Sequence, residues 1–278
     1  MEDTMELLEA AEQSTFPVIK KLSEYMSYVE RLPDTFNLSR GQTEDFLLLP
    51  GALRKDEKGN RKYSRQSVSH FINQFKLNSH FYMDTPWDIK NDYEWMIHAQ
   101  HYGIPTRLLD FSRSHIVALM FAVERAFEED PKNPKDGVVW FLNPTALNSL
   151  HSTRTDIFVL SELHSKLDDC NGPVVVQGRK SNTRVNAQNG VFLYFQDSDR
   201  DLVEIINKNV LGTNSFENIM KKIVIDGKSK KDILVALFSM GFGFAQIYPE
   251  LSSVSKDILL LEKINEYKRY QAGMEDEE

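Results

Sequence analysis

Eight consecutive residues, Ile116-Val117-Ala118-Leu119-Met120-Phe121-Ala122-Val123, are apolar on every side of a helix. Such a helix cannot lie at a surface, so the rest of the chain must be built around it, and it anchors whatever loop precedes it. The 278 residues, 41% of them hydrophobic, suit one large domain or two small ones and supply a proper core. No apolar run approaches the ~20 residues of a membrane span. The beginning, Met-Glu-Asp-Thr-Met-Glu, is acidic where a signal peptide would be basic. The expectation is a soluble, cytoplasmic protein with no membrane partner.

With 33 Lys+Arg against 41 Asp+Glu, the net charge is −8. That balance argues against a general nucleic-acid coat protein, whose affinity comes from basic phosphate contacts, while allowing a local basic cleft. Cys170 is the single cysteine, which excludes an internal disulfide, a cysteine-rich zinc site and a CxxC redox pair. Asp168 and Asp169 precede it and disfavour its thiolate.

Along the chain, residues 1–17 read as a flexible acidic extension, 18–270 as the folded domain and 271–278 as an acidic tail. Val18, Leu22, Tyr25, Met26 and Val29 predict an amphipathic helix ending near Pro33, and Val68, Phe71, Ile72 and Phe75 predict another. A third is expected over Asp92–Tyr102, ended by Gly103 in a left-handed conformation and by Pro105. The apolar helix follows, with Asp110 or Ser112 as its N-cap. Strands are expected at Gly137–Leu142, Pro173–Gln177, Val191–Phe195 and Lys222–Ile225. Ser229 with Asp232 resembles a capping box for a helix through Met240, and a last helix runs from about Ser252 to Tyr270. Helices first and strands later predict a single α+β domain, its N-terminal helices packed on a mixed or antiparallel sheet from the second half.

Chemistry concentrates in three places. Gln100-His101-Tyr102-Gly103-Ile104-Pro105-Thr106-Arg107-Leu108-Leu109-Asp110-Phe111-Ser112 packs polar side chains into a short connection between two buried helices. His101 in a last helical turn is favoured as imidazolium by the helix dipole, and Arg107 before the next helix stands where free N–H groups attract anions. Together they suit a phosphate or pyrophosphate; alternatively Arg107 and Asp110 form a buried ion pair that ties the helices together. Arg40-Gly41-Gln42 is the second place, a glycine letting a ligand approach an arginine fork closely. Arg184 to Phe192, with Gln188, is the third, and on its own residues reads first as a polar lead into a strand. Ile225-Asp226-Gly227-Lys228-Ser229 imitates the end of a phosphate-binding loop, but Lys222 stands where its first glycine is required. His98 and His101 lack a third ligand at defined spacing, so no metal is expected.

These stretches, in this order, resemble the FRG domain family. Arg40-Gly41-Gln42 with Leu49-Pro50 and Arg54, the segment from Trp95 to Ala122, Asp136 to Trp140 with Asn143-Pro144, Arg184 to Phe192, and Phe244 to Leu251 carry the resemblance, over roughly residues 30–265. Ser39 stands where the family has Phe or Tyr, and Phe111-Ser112 where it has Trp-Thr. The family is widespread in bacteria and phages and is itself similar to ADP-ribosyltransferases. That similarity implies NAD as the group bound, a macromolecular acceptor (protein or nucleic acid), and a toxin or antiphage defence setting with an antitoxin or defence-system partner. It implies catalytic roles for Arg40, His101 and Gln188, and a cofactor pocket formed by Arg40, Gln42, Tyr102, Thr106, Arg107, Asp110, Ser112 and Arg184, with Asp110 orienting Arg107. Gln188 falls near the late acid of those enzymes and cannot carry the charge that stabilises a developing cation. The alternatives are a non-catalytic nucleotide or nucleic-acid recognition module using the same arginines, a metal-dependent nuclease using His98, His101 and Asp110, and a domain whose motifs form only an internal polar network.

Overall fold

In the computed structural model the apolar run forms the helix His115–Val123, in which Val117, Ala118, Leu119, Met120, Ala122 and Val123 are buried. The structure describes residues 16–163, 166–179, 183–210 and 215–275. The strands are β1 (Val18–Ile19), β2 (Leu38–Gln42), β3 (Leu108–Ser112), β4 (Gly137–Leu142), β5 (Phe158–Val159), β6 (Val174–Gln177), β7 (Gly190–Tyr194) and β8 (Met220–Ile225). The helices are α1 (Leu22–Glu30), α2 (Arg65–Ser79), α3 (Asp92–His101), α4 (His115–Val123), α5 (Pro144–His151), α6 (Thr183–Ala187), α7 (Leu202–Asn209), α8 (Phe216–Ile219), α9 (Lys230–Ser239), α10 (Phe244–Ile247) and α11 (Leu251–Glu275).

The strands form one mixed sheet in the order β1-β8-β4-β2-β3-β7-β6-β5, antiparallel except for the outer pairs β1–β8 and β5–β6. On one face, α1, α4, α9 and α11 pack over Val139, Phe141, Ile223 and Ile225. Farther along that face, α2 and α3 pack over Leu108, Val174, Val176, Phe192 and Tyr194. The opposite face is covered by α5, α7 and the segment carrying Leu48, Leu49 and Leu53. Each fully buried Leu, Phe or Met contributes about 1.5–3 kcal/mol, so α4 alone is a large share of what holds the layers together.

Two features of the middle of the sheet create the site. The central strands β2 and β3 are paired in register only at Ser39 and Ser112, whereas β2 pairs with β4 over five residues and β3 with β7 over five. The sheet is therefore split into two four-stranded halves that share one rung. Across the split, α4 presses directly on β2: a Cβ on Gly41 would stand 1.7 Å from the carbonyl oxygen of Ala118.

The α+β domain is as expected, but the sheet is not confined to the second half, since β1, β2 and β3 precede it and β2 and β3 form its centre. The leucines, Phe111 and Ser112 of β3 are buried, so the segment lacks the one-sided alternation that signals a strand. The expected N-caps Asp110 and Ser112 lie within β3, and Ser114 occupies the N-cap position of α4. Val18 belongs to β1, leaving Leu22 to begin α1. Ser229 does not cap α9 through its side chain; instead Asp226 accepts from the Ser229 N–H and closes the preceding 3₁₀ turn. Helix α11 continues through the expected tail to Glu275. Of the expected N-terminal extension, residues 1–15 lie outside the described residues, while Pro17 accepts the Val224 N–H through its carbonyl. No helix of the described residues is long and apolar enough to cross a membrane.

Candidate functional site

Where β2 and β3 part, the structure forms a cleft of about 410 Å³. Its floor is Ser39 to Thr43 and Asp110 to Ser112; its walls are Gln100 and His101 at the end of α3, Phe121, Glu124 and Arg125 at the end of α4, Arg184, Val185 and Gln188 around α6, and Phe46 and Arg54. The all-apolar helix thus positions the site, because packing on every side fixes α4 and with it the polar residues at its end.

Arg40 occupies the gap in the sheet. Its Nη1 donates to the Asp110 carbonyl at 2.8 Å and lies 4.0 Å from Oδ2 of the same residue. Its Nε is buried without a hydrogen-bond partner, and so is Oε1 of Gln42, two residues along the strand. Burial pushes the Arg40 guanidinium below its ordinary value, Asp110 pulls it back up, and the charge of Arg54 pushes it down again. A guanidinium stays charged at any physiological pH, so this cleft favours an anion. Arg184 stands on the opposite wall with its guanidinium 4.6 Å from the centre of the Tyr248 ring.

A hydrogen-bonded chain fixes the rest of the floor. Thr106, buried, donates to Oε1 of Gln100 and accepts the Leu108 N–H at 3.1 Å, and Gln100 Nε2 donates to Asp110 Oδ1 at 2.7 Å. Ser112 donates to the Gln188 carbonyl at 2.6 Å and accepts the Ser114 N–H, locking β3 to the turn before β7. Thr106 and Ser112 therefore hold the floor, and Thr106 itself does not line the cleft. Gln188 lines it, but its Nε2 donates to the Ile247 carbonyl at 3.1 Å.

Of the expected site residues, the structure brings together Arg40, Gln42, His101, Asp110, Ser112, Arg184 and Gln188. It separates Arg107 from them. Arg107 forms a two-pronged pair with Asp168 (2.7 and 3.3 Å), stacks 4.8 Å from the Tyr194 ring, and lines another cavity with Arg61, Arg65 and Asp197. Asp110 therefore orients Gln100 and faces Arg40; it does not orient Arg107, and the expected Arg107–Asp110 pair does not form. The reason is local: Arg107 precedes a strand and not a helix, and its carbonyl is taken by the Phe195 N–H. Tyr102 lines a third cavity beside His98, Glu94 and Arg179. His101 is not favoured as imidazolium: burial and then the Arg184 charge outweigh Glu250 and hold it below the usual histidine range. His98 and His101 line different cavities, and among the described residues no group of three or more His, Cys, Asp or Glu is placed to hold a metal ion.

The sequence motifs did not single out Gln100, Phe121, Glu124 or Arg125 as site residues. Glu124-Arg125, the charged pair that abruptly ends an otherwise all-apolar helix, was the legible signal. Glu124 is mostly buried, and its Oε2 accepts the Tyr248 hydroxyl at 2.9 Å. Burial raises its carboxyl above the usual range, opposed by the Tyr248 hydrogen bond and the charges of Lys256, Arg125 and Arg184.

The family model described as FRG domain matches residues 37–131. The chain carries an FRG domain. The matched span, about a third of the chain, runs from the start of β2 past the end of α4, and so holds Arg40, Gln42, Arg54, Gln100, His101, Asp110, Ser112 and Glu124. Arg184 and Gln188 complete the cleft of the FRG domain from beyond that span, which is also narrower than the stretch over which the sequence resemblance was traced. No curated protein and no solved structure matches the chain.

Proposed function

We propose that the FRG domain cleft binds NAD and that the protein is an ADP-ribosyltransferase-like enzyme. It would transfer ADP-ribose to a macromolecular acceptor, protein or nucleic acid, in a cytoplasmic toxin or antiphage setting with a cognate antitoxin or defence-system partner. The observation that carries the reading is the pair of buried, unpartnered polar atoms on β2, Arg40 Nε and Gln42 Oε1, at the bottom of a cleft that also presents Arg54 and Arg184. Buried polar groups are rarely left unpaired: the Arg40 donor beside a neighbouring guanidinium suits a pyrophosphate oxygen, and the Gln42 acceptor suits a ribose hydroxyl. A volume near 410 Å³ lies within the roughly 300–1,000 Å³ of small-molecule sites. Phe46 and Phe121 offer ring faces, and Asp110 offers an acceptor for ribose hydroxyls.

The test is incubation of the purified protein with NAD, with and without cell lysate, and measurement of free nicotinamide against an Arg40→Ala control. Arg40-dependent release supports the enzyme. No release from demonstrably folded protein removes it, and saturable NAD binding without release leaves the recognition module. That second reading is favoured by one contact, the engagement of the Gln188 amide with the Ile247 carbonyl.

A further inference from the structure

Breaking the bond between a ribose C1′ and a nicotinamide nitrogen leaves positive charge on C1′ and the ring oxygen, and a nearby carboxylate stabilises it. Gln188 is neutral and its amide is committed to Ile247. Asp110 is half exposed, tied to Gln100 through Oδ1, and faces Arg40, so its charge already has local partners. Glu124 differs. It stands at the wall of the same cleft on the end of the most rigidly packed helix, and Tyr248 holds one of its two oxygens. Its sequence neighbour Arg125 reaches Glu128 (3.3 Å), and Lys256 of α11 lies over the Phe244 and Tyr248 rings (5.7 and 5.9 Å).

We propose that Glu124 is the catalytic carboxylate of the cleft, with Tyr248 as the positioning residue that orients it; this rests on the NAD reading above. In the step, the C1′–N bond breaks and nicotinamide departs with the electron pair as a neutral molecule. The charge it loses passes to C1′ and the ring oxygen, opposite ionised Glu124. A lone pair of the acceptor, or of water when no acceptor is present, forms the new bond to C1′, and the acceptor proton is released. Glu124 must be ionised for this. The charged and titratable groups acting on it are Tyr248 before α11, Lys256 on α11, Arg125 following α4 and Arg184 on α6, all of which favour its anion against burial except the phenol's own ionisation, which burial suppresses.

The test measures NAD binding and nicotinamide release separately for Glu124→Gln and Tyr248→Phe, with unfolding curves for both. Glu124→Gln is expected to bind NAD within about threefold of wild type and to release nicotinamide at least roughly a hundredfold more slowly. In Tyr248→Phe the loss of a hydroxyl that stabilises the anion moves the acid limb of the rate–pH profile to higher pH. Release by folded Glu124→Gln at the wild-type rate, or loss of its NAD binding, overturns the catalytic assignment and leaves the NAD reading standing. Wild-type protein that binds no NAD removes both. Should Glu124→Gln not fold, an acid limb unmoved in Tyr248→Phe overturns the proposal by itself.

Discussion

Nη1 of Arg40 donates to the main-chain carbonyl of Asp110 at 2.8 Å, bridging β2 and β3 where the strands have ceased to pair. A side chain thus does the work of a missing rung and still turns its Nε toward a buried, unsatisfied position. Lysine has one ammonium and no fork, so it cannot do both. Arg40→Lys is expected to fold, to melt lower, and to lose NAD affinity by about 2 kcal/mol or more, some thirtyfold. Titration of NAD into the two proteins with parallel thermal melts checks this; equal affinities refute it.

Gly41 is required by contact and not by backbone conformation. An added Cβ would fall 1.7 Å from the Ala118 carbonyl oxygen and 3.0 Å from the Ala122 nitrogen, both backbone atoms of a helix that cannot yield sideways. Gly41→Ala must push α4 off the sheet and is expected to cost about 3 kcal/mol or more. Urea unfolding measures it, and a midpoint close to wild type would show that the helix can move.

Arg107 tests the separation of the two cavities. Its pair with Asp168 and its stacking on Tyr194 are structural contacts distant from Arg40. Because Asp168 is nearly half exposed, the pair is partly screened, and Arg107→Ala should cost only about 1–2 kcal/mol of stability. NAD affinity should be unchanged. A variant that keeps its stability and loses its ligand would return Arg107 to the site.

His98, His101, His115 and His151 are all held below the usual histidine range, burial being the first cause in each. At high pH both folded and unfolded forms are neutral. As pH falls below about 6.5 the unfolded chain takes up protons first, so stability declines until the folded-state values are passed. Glu124 acts in the opposite sense, since burial raises its carboxyl and the folded form protonates first. With four histidines against one carboxyl, unfolding free energy is expected to fall between pH 7 and 5; a flat profile by urea titration would contradict it.

The parts legible from residues alone are those with an unambiguous period or terminator. Helix α3 ends at His101, one residue short of expectation, and Gly103 adopts φ +85° after it. Strands β4, β6, β7 and β8 fall where β-branched runs predict them. Strand β2 was hidden because Ser-Arg-Gly-Gln has poor strand propensity, and only its five-residue pairing with β4 holds it extended. Once β2 and β3 are strands, the divergence between them decides which motif residues meet, and no local pattern encodes a divergence. That is why Arg40, Gln42, Asp110 and Arg107 are grouped only through the family resemblance, and why Arg107, three residues from Asp110, lines a different cavity from the other three.

Lys230 gives the last prediction. Its side chain is fully buried, donating to the Thr43 carbonyl at 2.9 Å and pairing with Glu129, so it ties α9 to the segment after α4 and to a residue that lines the cleft. The two partners are not equivalent. Removing the ammonium in Lys230→Met takes away the charge that is costly to bury and leaves Glu129, which is 16% exposed, some access to water. Removing the carboxylate in Glu129→Ala strands an ammonium with no access at all, a change that costs about 3–5 kcal/mol. Glu129→Ala is therefore expected to be the more damaging of the two, and the double variant Glu129→Ala/Lys230→Met to recover part of the loss. Unfolding free energies of the four proteins check the order. A larger loss in Lys230→Met than in Glu129→Ala would mean that the hydrogen bond to Thr43, and not the ion pair, holds α9 to the cleft.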